Sequence, residues 1–91
     1  MQDIIDNHAH RRFELELDGH LAFAAYELDG DVVTFTHTVV PPELQGQGVA
    51  TRLIGAALAD VRSRGRKLIA ECTFVRAYLD KHPEDRDLIA A

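Results

Sequence analysis

The sequence predicts a mixed α/β fold, in which an antiparallel β-meander is followed by a helix, a strand and a second helix. Three runs of alternating or β-branched residues are separated by Asp18-Gly19 and Asp29-Gly30, and Asp-Gly pairs are typical of hairpin turns. Apolar residues then recur at helical spacing from Ala50 to Val61. The expected order is β-β-β-α-β-α, with a central mixed sheet and two main helices.

The three strands of the meander are expected at residues 12–17, 21–28 and 32–40. The first two alternate with the period of a half-buried strand, and their apolar members are Phe13, Leu15 and Leu17, then Leu21, Phe23 and Ala25. The third is rich in β-branched residues and ends at Pro41, because proline cannot donate to a sheet ladder. The polar residues 1–11 are either a tail or the lead-in to a strand.

Two helices and a strand complete the expected fold. The first helix begins after Gly48 and ends at Gly65, which follows a basic last turn. Lys67–Ala70 is a short apolar strand, and because a helix precedes it, we expect it to lie parallel to the third strand after a right-handed crossover. Thr73 is the expected N-cap of the second helix, which covers residues 74–81.

Length, charge and cysteine content narrow the class of protein. The 91 residues make a single domain, 1–91, with a modest core. The net charge of −5 argues against general nucleic-acid binding. The chain has no run of about 18 apolar residues and no N-terminal export signal, so neither a membrane span nor secretion is expected. Its single cysteine, Cys72, excludes an internal disulfide and fits a reducing cytoplasm.

A glycine loop lies between the third strand and the first helix, and this arrangement favours anion binding. The first turn of a helix has unpaired N–H groups and the positive end of the dipole, and glycine lets a phosphate approach the backbone. A nucleotide triphosphatase loop would end in Gly-Lys-Ser/Thr, which the chain lacks. A dinucleotide fingerprint requires a third glycine where Thr51 stands. Considered alone, the loop is also explained as a glycine-rich turn that begins a helix.

The loop matches the Q/R-x-x-G-x-G/A motif of the GCN5-related N-acetyltransferases, at Gln45, Gly46, Gln47, Gly48, Val49 and Ala50. Further features make the similarity more specific: His37-Thr38, Cys72-x-Phe74-Val75, Tyr78 and His82-Pro83. Over residues 12–89 the sequence resembles a very short, acetyl-CoA-binding branch of that superfamily. The resemblance implies a truncated acetyltransferase fold, without the helical segments that shape the acceptor site in larger relatives.

The resemblance also implies how coenzyme A would be held. The backbone amides of the glycine loop hold the pyrophosphate, and Val39 and Val40 offer backbone groups to the pantetheine amides. Arg52, in the first helical turn, either meets a CoA phosphate or is solvated. Acetyl-CoA or CoA is therefore the expected co-substrate. No metal is expected, because His8 and His10 make a poor site without further ligands.

Two side chains are candidates for the chemistry, which must deprotonate an amine and protonate a thiolate. His37 suits proton transfer near neutral pH, and strand alternation places it on the face of Val33, Phe35 and Val39; the alternative is a core histidine. Cys72 precedes the second helix, whose dipole favours a thiolate. It would carry the acetyl group in a ping-pong route or protonate the departing CoA, and the alternative is a small buried hydrophobe.

The chain departs from the pattern of the family at two places. The family tends to have an acidic residue after His-Thr, and this chain has Val39 there. The family often has prolines on both sides of the cysteine, and this chain has Ala70, Glu71 and Thr73. The third strand is thus left without a carboxylate, and Glu71 is either a second base or an exposed acid.

Three functions are compatible with these residues. The first is an acetyl-CoA-dependent N-acetyltransferase that acts on an unidentified amine. The second is a non-catalytic CoA-binding module or partner subunit, and the third is an interaction domain that keeps the fold without the ligand. A monomer or a weak homodimer is expected, because a short open sheet leaves an edge that a partner can cover.

Overall fold

The computed structural model describes residues 4–90, which form one five-stranded sheet with two α-helices against it. The strands are β1 Ile4–Asn7, β2 Arg12–Leu17, β3 His20–Asp29, β4 Val32–Val39 and β5 Lys67–Ala70. The α-helices are α1 Val49–Ser63 and α2 Thr73–Lys81, and two 3-10 turns lie at Pro42–Leu44 and Pro83–Leu88. Residues 1–3 and 91 of the predicted domain lie outside the described residues.

The strands lie in the sheet in chain order, from β1 to β5. The first four are antiparallel to one another, and β5 is parallel to β4. This arrangement confirms the predicted mixed sheet, with a meander followed by α-β-α. It also settles the N-terminal segment, since residues 4–7 pair with residues 12–15 and are a strand. Among residues 4–90 no helix is long and apolar enough to cross a membrane.

Both helices lie on the same face of the sheet, which we call the covered face. In β2 and β3 this face consists of Phe13, Leu15, Ala22, Ala24 and Tyr26, all of them buried. Ala22 and Ala24 have no exposed surface, and their small size lets α1 approach the centre of the sheet. Leu21, Phe23 and Ala25 consequently lie on the opposite, open face and are only partly buried.

The helix α1 closes the covered face. Its buried side chains recur at the predicted helical spacing and are Val49, Leu53, Ile54, Ala57, Leu58 and Val61. Full burial of a leucine or isoleucine side chain contributes roughly 1.5–3 kcal/mol. The packing of this one face therefore supplies much of the stability that holds α1, and the loop before it, in place.

A β-bulge in β4 changes which side chains face the helices. Ala25 pairs with His37 and the next residue, Tyr26, pairs with Phe35, so Thr36 is an extra residue in the ladder. Its hydroxyl donates to the carbonyl of Ala25 at 3.3 Å. Because an extra residue shifts the alternation by one, the side chains of β4 exchange faces at this point.

The exchange of faces corrects the predicted position of His37. Alternation places His37 with Val33 and Phe35, but those two residues are buried while His37 and Val39 are exposed on the open face. Thr38 takes the position on the covered face instead, opposite Ala24. His37 is therefore not a core histidine, which was the alternative to a catalytic role.

Tyr26 joins the first and third strands through its hydroxyl, which donates to a carboxylate oxygen of Asp6 at 2.6 Å. A hydrogen bond to a charged group contributes roughly 1.5–3 kcal/mol. We expect Tyr26→Phe to lower the free energy of unfolding by about 1–2 kcal/mol at neutral pH, because the ring still packs while Asp6 loses its donor. Urea denaturation with an unchanged m-value measures the difference.

The stabilisation contributed by the Tyr26 hydroxyl should depend on pH. Burial, and after it the hydrogen bond to Asp6, raise the pKa of Tyr26 above its usual value of 10.0. The unfolded chain therefore loses the Tyr26 proton first as the pH rises, so the stabilisation is complete below pH 10 and declines above it. The difference between wild type and Tyr26→Phe should shrink above pH 10; a constant difference would show that the hydroxyl contributes through packing alone.

Candidate functional site

The strands β4 and β5 separate partway along their length. Their parallel pairing runs from Val32 and Lys67 to Phe35 and Ala70. The last backbone hydrogen bonds are made by the carbonyl of Phe35, which accepts from the N–H groups of Glu71 and Cys72 at 3.0 Å each. Beyond this point β4 continues beside β3 as far as Val39, while the chain after β5 turns into α2. A gap thus opens on the β5 side of residues 36–40.

The glycine loop lies at the mouth of this gap. β4 ends at Val39, one residue before the predicted end, and the turn Pro42–Leu44 leads into the loop. Gly46 has φ of 80° and Gly48 has φ of 71°, which is the left-handed region that favours glycine. Gly48 is the N-cap of α1 and provides no side-chain hydrogen bond to the helix. The N–H groups of the first turn are therefore left without a side-chain cap, as an anion site requires.

A cavity of about 610 Å³ extends along the loop and the free edge of β4. Its lining residues are Thr38, Val39, Val40, Leu44, Gln45, Gly46, Gly48, Val49, Ala50, Thr51 and Phe74. All the predicted coenzyme-binding residues line it except Gln47 and Arg52. The amide of Gln47 donates to the carbonyl of Glu43 at 3.1 Å, and the side chain of Arg52 is exposed outside the lining.

The thiol of Cys72 lies behind the cavity wall. Cys72 is 3% exposed, and its sulfur is 3.1 Å from the hydroxyl of Thr38, with either atom able to donate. Cys72 is also the N-cap of α2, which was predicted to be Thr73. Its N–H donates to the carbonyl of Phe35, its backbone is extended, and the helix begins at Thr73, one residue earlier than predicted. Thr38 lines the cavity, and Cys72 is not among the lining residues.

His37 lies on the other side of the sheet from the Thr38 hydroxyl. Its Nδ1 is 3.2 Å from the hydroxyl of Thr36, and its ring meets the ring of Phe23 edge-on at 6.0 Å between centroids. The side chain is exposed. The gap between β4 and β5 therefore has Thr38 and Cys72 on the covered face and His37 on the open face.

Four lining residues were not predicted as part of the site, and they are Thr38, Leu44, Thr51 and Phe74. Thr38 was part of the motif that carried the resemblance, but simple alternation places it away from Phe35, and only the bulge brings it to Cys72. Phe74 was also part of that motif, and its side chain is 45% exposed at the cavity. Leu44 is buried beneath the loop, at a position that strand and helix periodicity do not cover.

Metal coordination finds no support in the described part of the chain. Residues 4–90 contain no group of three or more His, Cys, Asp or Glu side chains arranged to hold a metal ion. The Nε2 of His8 lies 3.6 Å from a carboxylate oxygen of Asp6.

Comparison with known proteins gives results that agree with this geometry. A family model described as GCN5-related N-acetyl-transferase matches residues 12–88. The solution structure of a "GCN5-like putative N-acetyltransferase" from Staphylococcus aureus superposes with a TM-score of 0.74 at 29% sequence identity. That match covers 98% of this chain and 88% of the other chain. The chain belongs to the GCN5-related N-acetyltransferase family, and its fold is the short form of that family's fold.

Proposed function

We propose that the chain binds acetyl-CoA in the cavity between β4, the glycine loop and α1, and transfers its acetyl group to an amine. One observation carries the proposal: a single cavity joins the uncapped first turn of α1 to Thr38, the residue that touches the only cysteine. The cavity thus has an anion site at one end and proton-carrying side chains at the other.

The wall of the cavity fits the parts of coenzyme A in turn. The backbone from Gly46 to Ala50 provides N–H groups for the pyrophosphate, at the positive end of α1. Apolar side chains of Val40, Leu44 and Phe74 are suited to the pantetheine chain. The edge of β4 that β5 leaves uncovered offers backbone groups to the pantetheine amides.

The side chains at the inner end of the cavity are suited to proton transfer. Acetyl-CoA would supply an activated thioester: its C–S bond breaks, a C–N bond forms, and one proton passes from the amine to the CoA sulfur. Thr38 and Cys72, in contact with each other, would deliver that proton from the covered face. Burial of Cys72 behind Thr38 favours this role over direct attack on the thioester.

His37 would accept the proton of the amine from the open face. A primary amine has a pKa of about 10.4, so it needs a base or a desolvating site at neutral pH. The bulge at Thr36 presents the His37 ring on the face that the helices leave open. Acetyl-CoA and the amine would therefore approach the gap from opposite faces of the sheet.

Two measurements test the proposed function. Isothermal titration with acetyl-CoA should show one binding site per chain, and an amine library should then release free CoA thiol at a rate above the rate without amine. Binding without amine-dependent thiol release would instead support the non-catalytic module, which the burial of Cys72 makes the main alternative. No binding heat would contradict both.

Thr38→Val separates proton delivery from binding. The substitution preserves shape, removes the hydroxyl that touches Cys72, and leaves the backbone of β4 in place. We expect thiol release to slow by about 10- to 100-fold, the low end of the contribution of a positioned proton donor, while the dissociation constant of acetyl-CoA changes less than twofold. Steady-state rates and calorimetry measure the two quantities.

Cys72→Ser is the companion variant, because serine keeps a proton donor at the same position. If Cys72 only delivers a proton, Cys72→Ser retains part of the activity, and wild type incubated with acetyl-CoA shows no covalent acetyl group by mass spectrometry. A mass increase on Cys72, with no activity in Cys72→Ser, would establish the ping-pong route instead.

A further inference from the structure

A second cavity, of about 240 Å³, lies between α1 and α2. It shares Ala50, Thr51 and Phe74 with the first cavity, so the two adjoin at the start of α1. Its remaining lining residues are Ile54, Ala77, Tyr78, Lys81 and His82. A ligand that placed phosphates on the glycine loop would therefore have a second compartment next to those phosphates.

The wall of the second cavity includes a stacked pair of rings. The rings of Tyr78 and His82 lie 3.9 Å apart and are inclined by 14°. The Nδ1 of His82 is 2.9 Å from the carbonyl oxygen of Tyr78, and because a carbonyl only accepts, Nδ1 carries the hydrogen. The hydroxyl of Tyr78 would lie 3.1 Å from a Cβ at Gly55, so the ring rests closely against α1. The pair is thus a fixed aromatic surface.

Lys81 brings a positive charge to the same cavity. Its ammonium has no hydrogen bond or ion pair within residues 4–90, whereas the ammonium of Lys67 donates to the carbonyl of Asp87 at 2.9 Å. Among the residues that line the two cavities, Lys81 is the one lysine or arginine. A cation beside an aromatic surface is complementary to an anion attached to a planar ring.

We propose that the second cavity binds the 3′-phosphoadenosine end of coenzyme A, with Lys81 as the partner of the 3′-phosphate and the Tyr78–His82 pair as the surface for adenine. The proposal rests on the proposed function, since it assumes that the pyrophosphate lies on the glycine loop. A phosphate monoester carries roughly −1.5 to −2 charges at neutral pH. Lys81 would therefore be the residue that distinguishes coenzyme A from its 3′-dephospho form.

The test compares two ligands on three proteins: coenzyme A and 3′-dephospho-CoA, titrated into wild type, Lys81→Gln and Lys67→Gln. Wild type should bind coenzyme A about tenfold more tightly, a preference that weakens with salt, as expected for an exposed ion pair. Lys81→Gln should bind coenzyme A about tenfold more weakly and 3′-dephospho-CoA as wild type does. Lys67→Gln, the matched change of charge outside both cavities, should keep the preference.

His82→Ala tests the aromatic surface separately. The substitution should weaken the binding of coenzyme A and of 3′-dephospho-CoA by the same factor, about five to tenfold, which is within the range for one stacked base. The affinity for 4′-phosphopantetheine, which has no adenine, should not change. Equal affinity of wild type for coenzyme A and 3′-dephospho-CoA, or a preference that survives in Lys81→Gln, would overturn the assignment of Lys81 while the proposed function stands. Failure of both ligands to bind wild type would overturn the proposed function, and this inference with it.

Discussion

Gly48→Asp is expected to weaken acetyl-CoA binding by at least about 100-fold, or about 2.8 kcal/mol. The substitution places a carboxylate at the N-cap of α1, beside the N–H groups that would hold the pyrophosphate. Juxtaposed like charges cost several kcal/mol where solvent is excluded. The carboxylate would also cap the helix itself and thus occupy the N–H groups that a phosphate needs. Calorimetric titration with acetyl-CoA measures the loss.

Gly30→Asp is the control for backbone strain. Gly30 has φ of 59° and Gly48 has φ of 71°, and an added Cβ would meet no atom within 4 Å at either position. Both variants therefore introduce the same side chain into the same strained conformation without a clash, which costs roughly 1–2 kcal/mol of stability. Gly30 lies in the hairpin between β3 and β4, so its variant should bind acetyl-CoA as wild type does. Equal weakening by both variants would show that the loop binds no anion.

Features that depend on residues close together in the chain could be predicted from the sequence. Sequence patterns located β2 to β5 and both α-helices, because each follows from residues only two to four positions apart, whereas β1 was left open between a tail and the lead-in to a strand. The glycine loop was predicted for the same reason: Gly46 and Gly48 stand directly between a strand and a helix, and both adopt the positive φ that only glycine takes without strain.

Features that depend on distant pairing could not be predicted in this way. The bulge at Thr36 arises from the register of β3 against β4, and periodicity within β4 contains no sign of it. The contact between Thr38 and Cys72 joins residues 34 positions apart, and it exists only because the bulge turns Thr38 to the covered face. The second cavity is likewise a product of how α2 packs on α1, which the sequence of neither helix specifies alone.

Phe35→Ala is expected to lower the free energy of unfolding by about 3–5 kcal/mol, the range for truncating a buried phenylalanine. Phe35 has no exposed surface, and its ring lies 6.2 Å from the ring of Phe13 and 6.4 Å from that of Tyr26. The free energy of unfolding of a small domain is roughly 5–15 kcal/mol, so the loss would be a large part of its stability. Urea denaturation with an unchanged m-value measures it.

Phe23→Ala is the matched control, since it removes the same atoms from the open face of the neighbouring strand. Phe23 is only partly buried, and the guanidinium of Arg12 lies 4.5 Å from the centre of its ring. We therefore expect Phe23→Ala to lower the free energy of unfolding by about 1–2 kcal/mol. A similar loss in both variants would mean that the open face is as well packed as the covered one. The larger loss at Phe35 would instead show that the covered face carries the core, at the residue whose carbonyl accepts the last backbone hydrogen bonds before the two strands separate. The gap that the proposed acetyl transfer requires would then begin directly beside a core residue, Phe35.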